Sequence, residues 1–119
     1  MKIHSSGEDY LEAILILKNK NGYVRSIDLA RFLNYSKPSI SQAVSILRDG
    51  GFVDVDEHGH LLLTEVGQEV ADKIYERHIF FKEKLISIGV APDTAEEEAC
   101  RIEHVISDDT FNKLKSALE

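Results

Sequence analysis

Apolar residues recur every three to four places between residues 6 and 20, where Tyr10, Leu11, Ile14, Leu15 and Leu17 would share one stripe of a helix. Ser5 followed by Glu8 has the form of a capping box, and Asn21-Gly22 would end the helix. The stretch "RSIDLARFLNYSKPSISQAVSILRDGGFV" continues the helical spacing in two shorter pieces. Ser26 is placed to cap the first, with Leu29, Ala30 and Leu33 facing inward, and Asn34-Tyr35 breaks it. Ser36 is placed to cap the second, which tolerates Pro38 in its first turn. That helix keeps Ile40, Val44 and Leu47 on one side and ends at Gly50-Gly51.

Beyond Gly51 the spacing changes to short apolar runs. "FVDV" and "LLLT" flank "DEHGH", where Gly59 is free to take a positive φ, and this predicts a β-hairpin. Thr64 would cap a long helix ending at Gly89, Pro92 would open another over 92–106, and Ser107 would cap a short last one. The pattern predicts a mainly α chain: a winged helix-turn-helix over residues 1–63, then an all-helical unit over 64–119.

At 119 residues the chain can bury one modest core, or two small lobes sharing a long helix. No apolar run approaches the roughly 20 residues of a membrane span. The start "MKIHSSGEDY" lacks an apolar signal region, so a cytoplasmic protein is expected. The net charge of −7 argues at first against nucleic acid, but the charges are segregated. Residues 18–48 carry Lys18, Lys20, Arg25, Arg31, Lys37 and Arg48 against Asp28 alone. Local sign decides a DNA contact more than the total does.

In a helix-turn-helix the N-terminal end of the second helix meets base edges in the major groove. Here that end presents Ser36, Lys37, Pro38, Ser39, Ser41 and Gln42. The Gln42 amide suits adenine, Ser39 and Ser41 suit bases or phosphates, and Lys37, Arg25 and Arg31 suit the backbone. Pro38 is primarily a helix-start residue whose ring could also touch a thymine methyl. The hairpin tip, Glu57-His58-Gly59-His60, is a poor phosphate partner unless its histidines are protonated. A winged helix used for protein interaction would share many of these polar residues. The uncharged outer face of 36–42 and the basic 18–48 segment favour DNA.

The segment "EEACRIEHVIS" carries the other candidate chemistry. Cys100, Glu103 and His104, at i, i+3 and i+4, would share a helical face among the apolar residues Ala99, Ile102, Val105 and Ile106. A single cysteine forms no internal disulfide; it is a small core residue, a reactive thiol or a metal ligand. Asp9 and Glu12 form an i, i+3 pair on the first helix, and His78 lies mid-way along the long helix between Ile74 and Phe81. Individually these read as capping acids and a partly buried histidine. Together they make a mixed carboxylate, imidazole and thiolate set suited to Fe2+ or Mn2+, with Co2+ or Zn2+ within its range. Glu96, Glu97 and Glu98 read as first-turn acids favoured by the helix dipole.

The whole chain resembles the diphtheria-toxin-repressor family of metal-dependent repressors. The resemblance rests on "GEDYLEAI", "KPSISQAVSILRDGGFV", "LLLTEVG", "ERH" and, most specifically, "EACRIEHVIS". It implies that Asp9, Glu12, His78, Cys100, Glu103 and His104 are metal ligands, and that Ser36, Pro38, Ser39, Ser41 and Gln42 contact DNA. Asp9 with Glu12 is similar to the manganese-responsive branch, whereas Cys100 is similar to the iron-responsive branch. Lys82 and Glu96 stand near ancillary-site positions of the iron branch, where a protonated lysine is not a ligand. With 119 residues, the third, SH3-like domain of longer members is not expected within this sequence.

The expectation is a homodimeric repressor, activated by Mn2+ or Fe2+, that binds double-stranded operator DNA and controls metal-uptake genes. Metal held between the first helix and the 64–119 helices would fix the spacing of two recognition helices. The alternatives are a metal-independent winged-helix regulator with a buried or redox-sensing cysteine, and a carboxylate-bridged metalloenzyme. Against an enzyme, there is no His-Glu-x-x-His and no Gly-rich phosphate loop.

Overall fold

The turns at Asn34, Ser36 and Gly59 close on residues that suit them. A computed structural model describes residues 5–118. It contains α1 (Ser5–Asn21), α2 (Ser26–Leu33), α3 (Lys37–Asp49), β1 (Val53–Val55), β2 (Leu61–Leu63), α4 (Glu65–Ser87), α5 (Pro92–Ile102) and α6 (Asp108–Leu118). The capping box expected from Ser5 turns on a side chain outside the described residues. Ser26 is the first residue of α2 rather than its cap. Arg25 takes the cap position, and its N–H donates to Asp28 Oδ2 at 2.9 Å. Asn34 ends α2 in the left-handed region at φ 58°, which asparagine tolerates better than most residues. Ser36 caps α3, its hydroxyl accepting from the Ser39 N–H at 3.3 Å.

The hairpin pairs β1 and β2 antiparallel, with Asp54 opposite Leu62. Asp56 Oδ1 accepts from the N–H groups of His60 (2.8 Å) and His58 (2.9 Å), closing the turn. The His60 N–H bond is the main reason the Asp56 carboxyl sits below the usual carboxylate range. Gly59 supplies the positive φ of 78°. A short bridge from Arg25 to His60 extends the hairpin toward the start of α2.

The compact units are Met1–Asp72 and Lys73–Glu119. The first core gathers Leu11, Ile14 and Leu15 of α1, Leu29 of α2, Ile40, Val44 and Leu47 of α3, and Phe52, Val53 and Leu61. Val70 and Ala71 also join it, which is why the division falls inside α4. Thr64 fixes the start of α4: its hydroxyl donates to Gly51 O (2.7 Å) and accepts from the Gly67 N–H (3.1 Å). In the second unit Phe80, Phe81, Ala99 and Phe111 form a separate core, with the Phe80 ring edge-on to those of Phe81 and Phe111. Among the described residues no helix is long and apolar enough to cross a membrane.

Gly67 is required by close approach rather than by its own dihedral angle. A Cβ there would lie 2.0 Å from the Phe52 carbonyl oxygen, which also accepts the Thr64 N–H. In an open helix Gly→Ala gains up to about 1 kcal/mol. Here backbone must move, and overpacking costs about 1–3 kcal/mol or more. Gly67→Ala is therefore expected to lower the urea midpoint, and a higher midpoint would contradict this packing.

Candidate metal centre

The site in the C-terminal unit is built where α5 stops. The sequence spacing placed Cys100, Glu103 and His104 on one helical face, but α5 ends at Ile102. Val105 N–H bonds the Ile102 carbonyl at 3.1 Å, a three-residue closure that tightens the end of the helix into a turn. Even so, the donor atoms of Cys100, Glu103 and His104 lie within 4.8 Å of one another. Glu103 is fully buried, while Cys100 and His104 are half-buried.

A second face of the site comes from α4. His78 is buried, its Nδ1 2.9 Å from Glu103 Oε2 and its Nε2 2.9 Å from Glu96 Oε1. Lys82 Nζ stands 2.9 Å from the other Glu96 oxygen. Glu96 lies beyond the first turn of α5, so pairing rather than the helix dipole explains it. Burial raises its carboxyl, but hydrogen bonds from Lys82 and His78 more than offset this and hold it below the ordinary value. The hydrogen bond to Glu96 in turn raises the Lys82 ammonium.

The donors fit a divalent cation. Glu103 Oε1 accepts no hydrogen bond among the described residues, with His104 Nε2 3.4 Å away. A carboxylate oxygen buried without a donor is costly, and a cation relieves that cost. Two ligand atoms held about 2.1 Å from one ion at right angles stand about 3.0 Å apart, close to the His78–Glu103 spacing. Sulfur, oxygen and nitrogen together suit a first-row transition ion better than Ca2+ or Mg2+.

Arg77 was not singled out by the sequence. It is buried and donates to the carbonyls of Glu103 and Ile106 and to the Asp108 carboxylate, so it braces the turn that carries Glu103 and His104. The available clue was an arginine beside His78 in a helix otherwise turning Ile74 and Phe81 inward.

The N-terminal unit holds the remaining candidates. Asp9 and Glu12 lie one turn apart on α1; Asp9 is half-buried, while Glu12 is only 7% exposed, unusually low for a carboxylate. Arg25, Arg31, Ser36, Lys37, Pro38, Ser39, Ser41 and Gln42 are all exposed. The Ser36 hydroxyl is engaged with Ser39 Oγ at 2.9 Å, so these two side chains serve the cap first. Lys37 and Ser41 line a cleft of about 240 Å3 with Ser26 and Ile27, at the N-terminal ends of α2 and α3.

Residues 2–61 match the family model "Iron dependent repressor, N-terminal DNA binding domain", and residues 64–119 match "Iron dependent repressor, metal binding and dimerisation domain". An HTH-type transcriptional regulator of Methanocaldococcus jannaschii is 36% identical over 94% of this chain and 91% of its own. The transcriptional regulator MntR of Escherichia coli O6:H1 is 29% identical over 91% of this chain and 70% of its own. Among solved structures, the manganese regulator SloR superposes with a TM-score of 0.83 at 28% identity, covering 99% of this chain and 54% of its own. The chain thus spans about half the length of that regulator.

Proposed function

The chain belongs to the iron-dependent repressor family, whose members are metal-dependent DNA-binding transcriptional repressors and not enzymes, and from that premise we propose how its own residues serve the function. It binds operator DNA as a homodimer when loaded with a divalent cation, Mn2+ or Fe2+, and acts in the cytoplasm on metal-uptake genes. The observation that carries the metal half of this reading is the fully buried Glu103 carboxylate beside Cys100, His104 and His78. Asp9 and Glu12 are proposed, from the sequence resemblance, as the carboxylates that complete the ligand set. The metal-independent alternative has no support, since residues 64–119 match a metal-binding domain.

A bound cation would supply positive charge to buried carboxylates and a fixed geometry to its donors. Glu103 holds its oxygens in a dry site where that charge is weakly screened. Arg77 keeps the supporting turn in place through the Glu103 carbonyl. On the DNA side, α3 presents exposed Lys37, Ser41 and Gln42, and the N-terminal ends of α2 and α3 favour phosphate. The match of residues 64–119 to a metal-binding and dimerisation domain supports self-association through the C-terminal unit, where Ile86, Ile88, Val105 and Leu118 are exposed apolar side chains.

Anaerobic fluorescence anisotropy with labelled duplexes from the gene's own genomic neighbourhood tests the proposal. Metal-free protein is compared with protein in Mn2+, Fe2+ or Zn2+ at fixed salt, because phosphate contacts make affinity salt-dependent. Sequence-selective binding that requires the cation is expected; equal binding with and without it would refute the proposal. In the same assay Lys37→Ala should weaken all sequences alike and flatten the log–log salt slope by about 1, whereas Gln42→Ala should relax discrimination at one base pair. An unchanged salt slope in Lys37→Ala would remove it from the phosphate contacts.

A further inference from the structure

We propose that Glu96, clamped by Lys82, is a positioning residue that holds the His78 ring with Nδ1 turned toward Glu103 as a cation donor. The inference rests on the cation-binding reading above and adds two residues to it. His78 and Lys82 are four residues apart on α4 and so project to the same side. Glu96 reaches them from α5 with its two oxygens divided between them: Oε1 to His78 Nε2 and Oε2 to Lys82 Nζ, each at 2.9 Å. Two anchors fix the plane of this carboxylate, and a fixed carboxylate fixes the imidazole.

An imidazole that gives one nitrogen to a cation needs its other N–H satisfied, and a carboxylate in that place sets both ring orientation and tautomer. With Nε2–H donated to Glu96, the lone pair lies on Nδ1, the atom 2.9 Å from Glu103 Oε2. Glu96 and Lys82 are half-exposed, 51% and 38%, so as an isolated surface ion pair they add little to folding. Their value lies in aligning the Nε2 side of a buried ring whose Nδ1 faces Glu103.

The test is direct titration of the full chain with Mn2+, reading free Mn2+ by electron paramagnetic resonance, with thermal melts of the metal-free proteins alongside. Glu96→Ala should weaken Mn2+ binding by about 10- to 100-fold, the usual loss on removing a group that orients a ligand. Glu96→Gln keeps an acceptor oxygen for Nε2–H but turns its NH2 toward the Lys82 ammonium and loses that clamp, so it should bind Mn2+ about as Lys82→Met does, between wild type and Glu96→Ala. Lys82→Met is the most discriminating variant. If Lys82 acts only through the electrostatic field, deleting its charge tightens binding of a cation. If it holds Glu96 in place, deleting it weakens binding, and Lys82→Met adds nothing on top of Glu96→Ala.

Tighter binding by Lys82→Met, wild-type affinity in Glu96→Ala, or a Glu96→Gln as weak as Glu96→Ala would each overturn the inference. Should Glu96→Ala fail to fold, Lys82→Met and Glu96→Gln still decide it. Wild-type protein that bound no Mn2+ would instead overturn the cation reading itself, and this inference with it.

Discussion

Replacing Glu103 with alanine is expected to abolish the dependence of DNA binding on metal while leaving the winged helix folded. Reciprocal coupling between a metal and a DNA site typically spans about 5- to 150-fold in affinity, and that ratio should fall to about 1 in Glu103→Ala. Cation affinity itself should drop by more than about 100-fold, beyond what is lost with a group that only orients a ligand. The loss comes from a fully buried carboxylate, so its interaction with a cation is screened little by water. His104→Ala should behave similarly, since its Nε2 stands 3.4 Å from Glu103 Oε1. Both residues lie in the Lys73–Glu119 unit, so the core built on Leu11, Leu29 and Ile40 stays intact. Paired titrations of Mn2+ and of operator DNA at fixed salt measure both quantities. A Glu103→Ala protein that kept wild-type metal dependence would remove the proposed centre.

The second large effect is on stability. Arg77→Ala should destabilise the C-terminal unit by about 3–5 kcal/mol, because two carbonyls and a carboxylate lose one buried donor at once. For a domain of this size that corresponds to a fall in melting temperature of at least about 10 °C. Arg77→Lys keeps the charge but not the planar fork, so it should recover less than half of the loss. Lys73 also pairs with Asp108, at 3.2 Å, yet both side chains are more than half exposed. Lys73→Ala should therefore cost less than about 1 kcal/mol, which makes it the matched control. Circular dichroism melts of the metal-free variants provide the comparison; an Arg77→Ala protein as stable as Lys73→Ala would refute the bracing role. The same variant should weaken cation binding, since the turn bearing Glu103 and His104 loses its anchor.

Much of the fold was legible because short-range rules governed it. The periodicity of Leu11, Ile14 and Leu15, the cap at Ser36, the stop at Asn34-Tyr35, the turn at Gly59 and the caps at Thr64 and Ser107 depend on residues within a few places of one another. The family was legible for a related reason: the segments that carry the resemblance, "EACRIEHVIS" and "KPSISQAVSILRDGGFV", are short and contiguous, and both lie within the stretches that match the family's two domains. Local rules fall short where a distant partner decides. Periodicity carries α5 on to residue 106, whereas the chain turns at Glu103 and Arg77, far away in sequence, takes the Glu103 and Ile106 carbonyls. Position near a helix start makes Glu96 a dipole acid, whereas His78 and Lys82 on another helix claim its two oxygens.

By itself, then, the sequence determined the element types, the winged helix-turn-helix, the helical second unit and the kinds of donor offered to a metal. Tertiary structure alone decided the complete burial of Glu103, the 2.9 Å approach of His78 to it, and the close contact that forces glycine at position 67. The physical reason is range. Propensity, capping and periodicity act over one or two turns of chain, whereas burial and ligand convergence depend on which distant surfaces meet.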